Sequence, residues 1–403
     1  MASPASARWR SSLTERPGRW RVPLALAAVV ALNLPLGTVY AFSVFIRPLE
    51  AELGLTRAAL SFVFGLAIVG FTAGMNLGPL LYRMASAATL VAGAAALAAL
   101  GMALAAGAEG LAQLALGYGV MFGLGGGIAY VVLLQGMNLM LTRRRGLANG
   151  FIVSLYPMGA MIGAPLFGWA LAEWGLRATL GGLAAVLAAA GAVGTLLVAA
   201  AGMRTAPVAG GAAGPPAERQ LSVFLRIWTV FFLAAAAGLT VLGQAAGMVE
   251  AYGGTKALAL SATTAITGCV AAARIGGGWL ADRVPAPLVM AGAHVLAAAA
   301  NALLLAFPGP LLAVATLAMI GTGYGLVSGS AAAAIGIYWG PAQYGRLAGR
   351  LYLAWCVAAV TLPVVAGRVF DLTGGYAAVV LIAAAGNLLG VLVAASLPRR
   401  AAG

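Results

Sequence analysis

Long apolar segments recur along the whole chain and constrain its fold more than any other feature. Each is close to or above the roughly 20 residues that an α-helix needs to cross a bilayer. Because backbone N–H and C=O groups must be satisfied internally in lipid, these segments are expected to be helices. We therefore predict an all-α membrane protein with twelve transmembrane helices. The predicted spans are 22–46, 58–81, 87–106, 111–140, 147–172, 180–201, 227–248, 257–281, 288–307, 311–337, 347–366 and 376–396.

The composition excludes a soluble globular domain, since 63% of the residues are hydrophobic, 8% are charged and the mean hydropathy is +1.00. A net charge of +14 could suggest nucleic acid, but the basic residues lie in short loops where they act as topology signals. No nucleic-acid partner is predicted. Cys269 and Cys356 lack metal-ligand spacing, so neither a metal nor another cofactor is expected. One histidine and no acid in the middle of a span also argue against a membrane-embedded enzyme.

The spans divide into two sets of six on either side of a segment rich in Gly, Ala and Pro. We predict a tail at 1–21, a lobe at 22–202, a linker at 203–224, a second lobe at 225–397 and a tail at 398–403. The two halves also contain an internal repeat: segment 278–283 resembles 78–83, and the glycine-rich segment 123–130 resembles 321–328. Such duplication indicates a two-lobed transporter with its binding site between the lobes.

The distribution of basic residues predicts the orientation. With the N-terminus in the cytoplasm, 17 Lys and Arg residues lie inside and five outside. The positive-inside rule therefore favours cytoplasmic termini, in a multi-pass protein of a bacterial inner membrane. We expect a monomer.

One basic residue, Arg274, lies inside the eighth predicted span without an acid near it in sequence. It precedes Asp282 by eight residues, which places it roughly 12 Å inside the cytoplasmic end of the helix. A charge at that depth costs about 2.5–3.5 kcal/mol on insertion scales and is usually functional. The alternatives are an arginine that snorkels to the nearer surface or one with a purely structural partner.

Segment 278–283, Gly-Trp-Leu-Ala-Asp-Arg, resembles the signature of the major facilitator superfamily. The resemblance implies two six-helix lobes and alternating access. The signature is expected to act as a conformational latch that holds one state of the transporter. In this latch, Asp282 would cap or pair with a neighbouring helix start on the cytoplasmic side, with Arg283 and Arg145 beside it. In the first half Tyr82 replaces the acid, so the corresponding latch should be weak or absent.

Seven segments are similar to those of the oxalate/formate antiporter family and its monocarboxylate-transporter relatives. They are 37–45, 123–130, 145–150, 231–233, 238–239, 243–244 and 367–374. That resemblance implies an arginine on the eighth helix that faces an anionic substrate within an aromatic cage. Trp355 stands where oxalate carriers have a lysine, which puts oxalate transport in doubt. The residues implied to bind substrate are Arg274, Tyr40, Tyr130, Tyr156, Tyr324, Ser328, Tyr352 and Trp355.

These residues favour a small carboxylate substrate with a single charge. A guanidinium can hold one carboxylate through two parallel hydrogen bonds, and tyrosine hydroxyls can add more. A dianion would leave a net charge in a medium of low dielectric constant, which is costly. We predict transport of a monocarboxylate. An oxalate-type dicarboxylate exchanger, a carrier of a neutral or aromatic solute, and a sensor that binds a metabolite without moving it stay open.

Coupling to protons receives little support from the sequence. All nine acids fall in predicted loops or at span ends, and Val270 stands where monocarboxylate relatives carry an acid. Antiport or uniport is therefore favoured over proton symport. His294 is the remaining titratable candidate within a span, although packing is its more common role. Gln244 and Asn33 are candidates for polar residues that border the cavity.

Overall fold

The computed structural model describes residues 20–141, 143–205 and 217–399, which form thirteen α-helices with no strand among them. The prediction of an all-α protein is confirmed. The helices are α1 (Arg21–Gly37), α2 (Ser43–Leu53), α3 (Arg57–Leu81), α4 (Ala87–Ala106), α5 (Leu111–Leu114), α6 (Gly123–Met140), α7 (Arg145–Ala200), α8 (Ala217–Ala251), α9 (Lys256–Ala281), α10 (Ala286–Ala306), α11 (Pro310–Trp339), α12 (Tyr344–Thr373) and α13 (Ala377–Ala395).

Eleven helical stretches of the described chain are long and apolar enough to cross a membrane, and one of them holds two predicted spans. Helix α7 has 56 residues and breaks at Gly175, whose φ of 75° and ψ of 179° are not helical. Glycine adopts a positive φ without steric cost, so it allows the break. The twelve predicted spans therefore all have helical counterparts.

Two of the predicted spans, the first and the fourth, are not regular α-helix throughout. The first predicted span is not one continuous helix: α1 ends at Gly37, a 3₁₀ turn covers Thr38–Ala41, and α2 follows. Pro35 lies in the last turn of α1, and the Thr38 hydroxyl donates to the Pro35 carbonyl at 2.6 Å. A π-helical segment, Ala115–Phe122, joins α5 to α6.

Residues 206–216 of the predicted linker at 203–224 lie outside the described chain, and α8 begins at Ala217. The sequence there is polar enough to be predicted as linker, yet a helix can continue beyond the apolar part of a span. Arg226 holds this part of α8 against the end of α13, since its Nη1 donates to the Ser396 carbonyl at 2.7 Å.

Helices α1–α7 form an N-terminal lobe and α8–α13 a C-terminal lobe, which meet where α7 packs on α9 and α3 packs on α12. Small residues allow the backbones to approach closely. A Cβ at Gly146 would collide with the Gly278 carbonyl, and one at Gly150 would collide with the Arg274 carbonyl. These glycines therefore allow the backbone of α9, including that of Arg274, to lie directly against α7.

The lobes meet at the end of the molecule that carries the α3–α4, α6–α7, α9–α10 and α11–α12 connections. We call it the arginine-rich end, since Arg83, Arg143, Arg144, Arg145, Arg283 and Arg346 lie in or beside these connections. Asn76 of α3 donates to the Gly349 carbonyl of α12 at 2.9 Å and so joins the lobes there.

Candidate functional site

A small cavity lies between the two lobes. All eight residues implied to bind substrate line it. They come from the 3₁₀ turn and α6 and α7 of the N-terminal lobe, and from α9, α11 and α12 of the C-terminal lobe. The cavity-lining residues are Tyr40, Phe71, Tyr130, Val153, Tyr156, Phe231, Arg274, Tyr324, Ser328, Tyr352 and Trp355.

Arg274 is 4% exposed and provides the positive charge of the cavity. This burial is not the geometry of an arginine that snorkels to a membrane surface. Its Nη1 donates to the Val153 carbonyl of α7 and its Nη2 to the Tyr324 hydroxyl of α11, both at 2.9 Å. The guanidinium carbon lies 5.3 Å from the centroid of the Tyr324 ring. Both partners are neutral, so neither of them balances the charge.

The guanidinium also has donor capacity that the protein does not use. Its Nε is buried and has no hydrogen-bond partner in the described part of the chain. None of the described side chains that line the cavity is an acid. A buried cation without an anion is energetically costly. The cavity is therefore electrostatically suited to one negative charge.

The tyrosines surround Arg274 and connect the lobes. The Tyr130 and Tyr352 hydroxyls lie 2.7 Å apart, and either can donate to the other across the lobe interface. Tyr40 of the N-terminal lobe contacts Trp355 edge to face, with ring centroids 6.2 Å apart. Tyr156 donates to the Gly126 carbonyl at 3.4 Å. The walls thus combine hydroxyl groups with apolar ring faces.

Sequence reasoning did not find three of the lining residues: Phe71, Val153 and Phe231. Phe71 is the most connected of them, because its ring centroid lies 5.2 Å from that of Tyr156 and 5.9 Å from that of Trp355. Phe231 lies in segment 231–233, which carried part of the family resemblance. For Phe71 no such signal exists, since an aromatic residue in an apolar span is usually a packing residue.

Asp282 joins the two lobes at the arginine-rich end. Its Oδ1 accepts from the Gly146 N–H at 2.7 Å, and its Oδ2 accepts from the Leu147 N–H at 2.8 Å. These are among the first N–H groups of α7, where the helix dipole favours a negative charge. The other two latch candidates bond within their own lobes: Arg145 Nε donates to the Leu141 carbonyl, and the Arg283 guanidinium lies over the Trp279 ring.

The corresponding contact in the other half uses a different residue. Tyr82 donates to the Val131 carbonyl at 3.3 Å, within its own lobe. Gln135 of α6 instead accepts from the Gly345 N–H of α12 at 2.6 Å and donates to the Pro341 carbonyl at 2.9 Å. The start of α12 is thus held by the neutral amide of Gln135, whereas the start of α7 is held by the carboxylate of Asp282.

The three remaining polar candidates are not among the residues that line this cavity. His294 contacts Asn387 Oδ1 at 2.9 Å and the Val230 carbonyl at 3.2 Å, all within the C-terminal lobe. Gln244 donates to the Pro363 carbonyl and accepts from the Tyr376 hydroxyl. Asn33 is fully buried in α1, and neither polar atom of its side-chain amide has a hydrogen-bond partner in the described part of the chain. Bonds to neighbouring helices are a sufficient reason for the positions of His294 and Gln244.

Comparisons with known proteins identify the family of this chain. The sequence profile of the Major Facilitator Superfamily matches residues 24–360. Monocarboxylate transporter 13 of Rattus norvegicus is 26% identical over 392 residues, which cover 96% of this chain and 91% of that protein. The uncharacterized MFS-type transporter YhjX of Escherichia coli K12 is 27% identical over 143 residues, which cover 36% of this chain and 35% of that protein.

Among solved structures, the fold is similar to that of FucP in its outward conformation, with a TM-score of 0.72 at 16% identity. That match covers 94% of this chain and 99% of the FucP chain, and at this identity it concerns the fold alone. The profile match extends over most of the sequence, from the first span into the eleventh. The chain therefore belongs to the major facilitator superfamily, as a multi-pass membrane transporter and not an enzyme.

Proposed function

We propose that this chain transports a small organic anion, a monocarboxylate, by alternating access of its two lobes. One observation carries the proposal: the buried Arg274 lines a central cavity without an acid among the described lining residues. A single carboxylate would neutralise that cation, whereas a dicarboxylate would leave an uncompensated negative charge. The rat relative named as a monocarboxylate transporter points to the same substrate class.

The hydrogen-bonding groups of the cavity suit a carboxylate. Arg274 Nε lacks a partner, so the guanidinium can offer it together with a neighbouring N–H in a two-point contact. The Tyr324 hydroxyl accepts from Arg274 and so keeps its own proton for donation. In the pair of Tyr130 and Tyr352, one hydroxyl donates to the other and leaves one further proton for the substrate.

Substrate binding would also act on the contact between the lobes. Arg274 reaches across the interface to the Val153 carbonyl. A carboxylate oxygen is a stronger acceptor for a guanidinium than a neutral carbonyl, because the hydrogen bond then joins two ions. An anion that draws the guanidinium away from Val153 would weaken one of the bonds that hold the lobes together above the Asp282 contact. We propose this competition as the link between binding and lobe movement.

Coupling by anion exchange or uniport fits the cavity better than proton symport. No described acid lines the cavity, and His294 bonds to Asn387 and Val230 away from it. For the orientation, we propose that the arginine-rich end faces the cytoplasm of a bacterial cell, with both termini on that side. We further propose that the protein works as a monomer.

The proposal is tested by flux of labelled solutes into proteoliposomes that contain the purified protein. Acetate, oxalate and acetamide form a matched set, since they are a monoanion, a dianion and a neutral analogue of acetate. We expect entry of acetate that exceeds entry of oxalate and acetamide, after subtraction of flux into protein-free liposomes. Entry of acetamide equal to that of acetate would refute a role for the negative charge.

A further inference from the structure

The side-chain amide of Gln135 forms its hydrogen bonds with the opposite lobe. Gln135 lies in α6 of the N-terminal lobe and is fully buried. Its Oε1 accepts from the Gly345 N–H at 2.6 Å, and its Nε2 donates to the Pro341 carbonyl at 2.9 Å. Both partners belong to the C-terminal lobe, in the turn before α12 and at the start of that helix. Separation of the lobes would therefore break both bonds.

Asn138, three residues further along α6, shows the opposite arrangement. Its Nδ2 donates to the Leu134 carbonyl of its own helix at 2.8 Å and to Asn149 Oδ1 at 2.7 Å. Both partners belong to the N-terminal lobe, so these bonds persist when the lobes move as rigid bodies. The bonds of Gln135, by contrast, stabilise only the state in which the lobes touch, since a hydrogen bond between buried groups has a favourable net contribution.

Glycine at position 345 allows this contact to form. A Cβ at Gly345 would lie 2.8 Å from the Tyr82 hydroxyl and 3.2 Å from Gln135 Oε1, so one of these groups would have to move. Tyr82 is itself held in place, because its hydroxyl donates to the Val131 carbonyl of α6. The backbone of α12 thus reaches the amide of Gln135 because position 345 carries no side chain.

The contact lies between the central cavity and the arginine-rich end. Tyr130 and Tyr352, which line the cavity and pair across the lobes, belong to the same two helices. Gln135 follows Tyr130 by five residues in α6, and Gly345 precedes Tyr352 by seven in α12. At about 1.5 Å per residue, the contact lies roughly 8–10 Å from the tyrosine pair, toward the arginine-rich end. Opening of the lobes at that end therefore requires the contact to break.

We propose that Gln135 is a latch of the transport cycle, which holds the arginine-rich end closed and breaks when that end opens to release substrate. This inference rests on the alternating access of the proposed function, and not on the identity of the substrate. Asp282 of the C-terminal lobe holds the start of α7, and Gln135 of the N-terminal lobe holds the start of α12. Each lobe therefore holds a helix start of the other, and the second contact needs no charge.

Gln135→Met tests the latch, because methionine is unbranched like glutamine and forms neither of the two bonds. Hydrogen exchange is measured on the purified full-length protein, in a peptide that contains Gly146 and Leu147. The N–H groups of these residues bond to Asp282, so they report opening of the lobes at a contact that Gln135 does not form. We expect exchange there about fivefold faster or more than in wild type, as for the loss of two hydrogen bonds.

Gln113→Met is the matched control. Gln113 also accepts from one backbone N–H and donates to backbone carbonyls, but all of these partners lie within the N-terminal lobe: Glu109, Leu104 and Gly107. The substitution removes the same kinds of bond without touching the lobe interface. Exchange at 146–147 should therefore stay at the wild-type rate in Gln113→Met.

Gly345→Ala disturbs the same contact from the side of α12 and provides the test if Gln135→Met does not fold. Its methyl group should displace the amide of Gln135 and accelerate exchange at 146–147 in the same direction. Wild-type exchange there in a folded Gln135→Met protein would overturn the inference, and so would an equal acceleration in Gln113→Met. These measurements need no substrate. If wild type does not transport acetate, the proposed substrate is rejected, while the exchange rates still decide whether Gln135 holds the lobes together.

Discussion

Arg274 and Val153 join the two lobes through a hydrogen bond of 2.9 Å, from a guanidinium Nη1 to a backbone carbonyl. The bond places the positive charge of the cavity on the lobe interface itself. The same side chain leaves its Nε without an acceptor. An anion in the cavity therefore has a donor to engage and an interface contact to compete with, which is the arrangement that the proposed mechanism requires.

Tyr324→Phe should weaken carboxylate binding while the protein stays folded. The substitution removes the hydroxyl that accepts from Arg274 Nη2 and that can donate to a carboxylate. Hydrogen bonds to charged groups contribute about 1.5–3 kcal/mol, so the apparent Kd for acetate should rise at least about tenfold. Thermal-shift titration measures it. Tyr252→Phe is the control, because Tyr252 follows α8 and does not line the cavity; equal affinities in the two variants would argue against the role of Tyr324.

Trp355→Lys should shift selectivity toward dicarboxylates. Trp355 is 3% exposed and lines the cavity, so a lysine there would add a second cation beside Arg274. Two cations can balance two carboxylates. We expect the ratio of oxalate to acetate flux in proteoliposomes to rise about tenfold or more, as for a difference of 1.4 kcal/mol. Trp355→Leu controls for loss of the ring, and a ratio that stays at the wild-type value in the lysine variant would contradict selection by one cation.

Asp282→Ala should loosen the start of α7. The carboxylate accepts from the Gly146 and Leu147 N–H groups, and loss of a helix N-cap costs about 0.5–2 kcal/mol. Hydrogen exchange of a peptide that contains these two amides should accelerate about twofold to thirtyfold. The exposed Asp371 at the end of α12 provides the control variant Asp371→Ala. Unchanged exchange at 146–147 in Asp282→Ala would show that the contact does not hold the lobes together.

His294→Gln should lower stability without changing the pH profile of transport. His294 is 1% exposed and contacts Asn387 and Val230, so its replacement leaves buried groups without a full set of partners. Such a loss costs about 1–3 kcal/mol of folding free energy. Initial rates of acetate flux between pH 5.5 and 8 provide the measurement. A change in the shape of that profile would assign His294 a part in proton coupling that its position does not support.

The sequence predicts the helices of this protein well, and the central cavity in large part. Apolar segments predict spans because lipid leaves helices as the structure that satisfies the backbone. All eight residues inferred from the resemblance line the cavity. Hydropathy alone would not have selected them, because a tyrosine in a span can equally pack against lipid or protein.

The positions that sequence reasoning missed depend on contacts between distant segments. Gln135 holds the start of α12, although the internal repeat aligns Tyr82, and not Gln135, with the Asp282 that holds the start of α7. Phe71 lines the central cavity, but its neighbours in sequence are ordinary residues of an apolar helix.

Arg274→Ala gives the most direct measurement of the central claim, as flux of labelled acetate in proteoliposomes beside wild type. Arg57→Ala serves as the matched arginine variant, because Arg57 forms an exposed ion pair with Glu50 that contributes little to stability. Thermal unfolding of both variants first establishes that they are folded. We predict that Arg274→Ala lowers acetate flux about a hundredfold or more, as expected for loss of a buried charge partner, while Arg57→Ala transports at the wild-type rate. A folded Arg274→Ala protein that transports acetate as well as wild type would contradict the account.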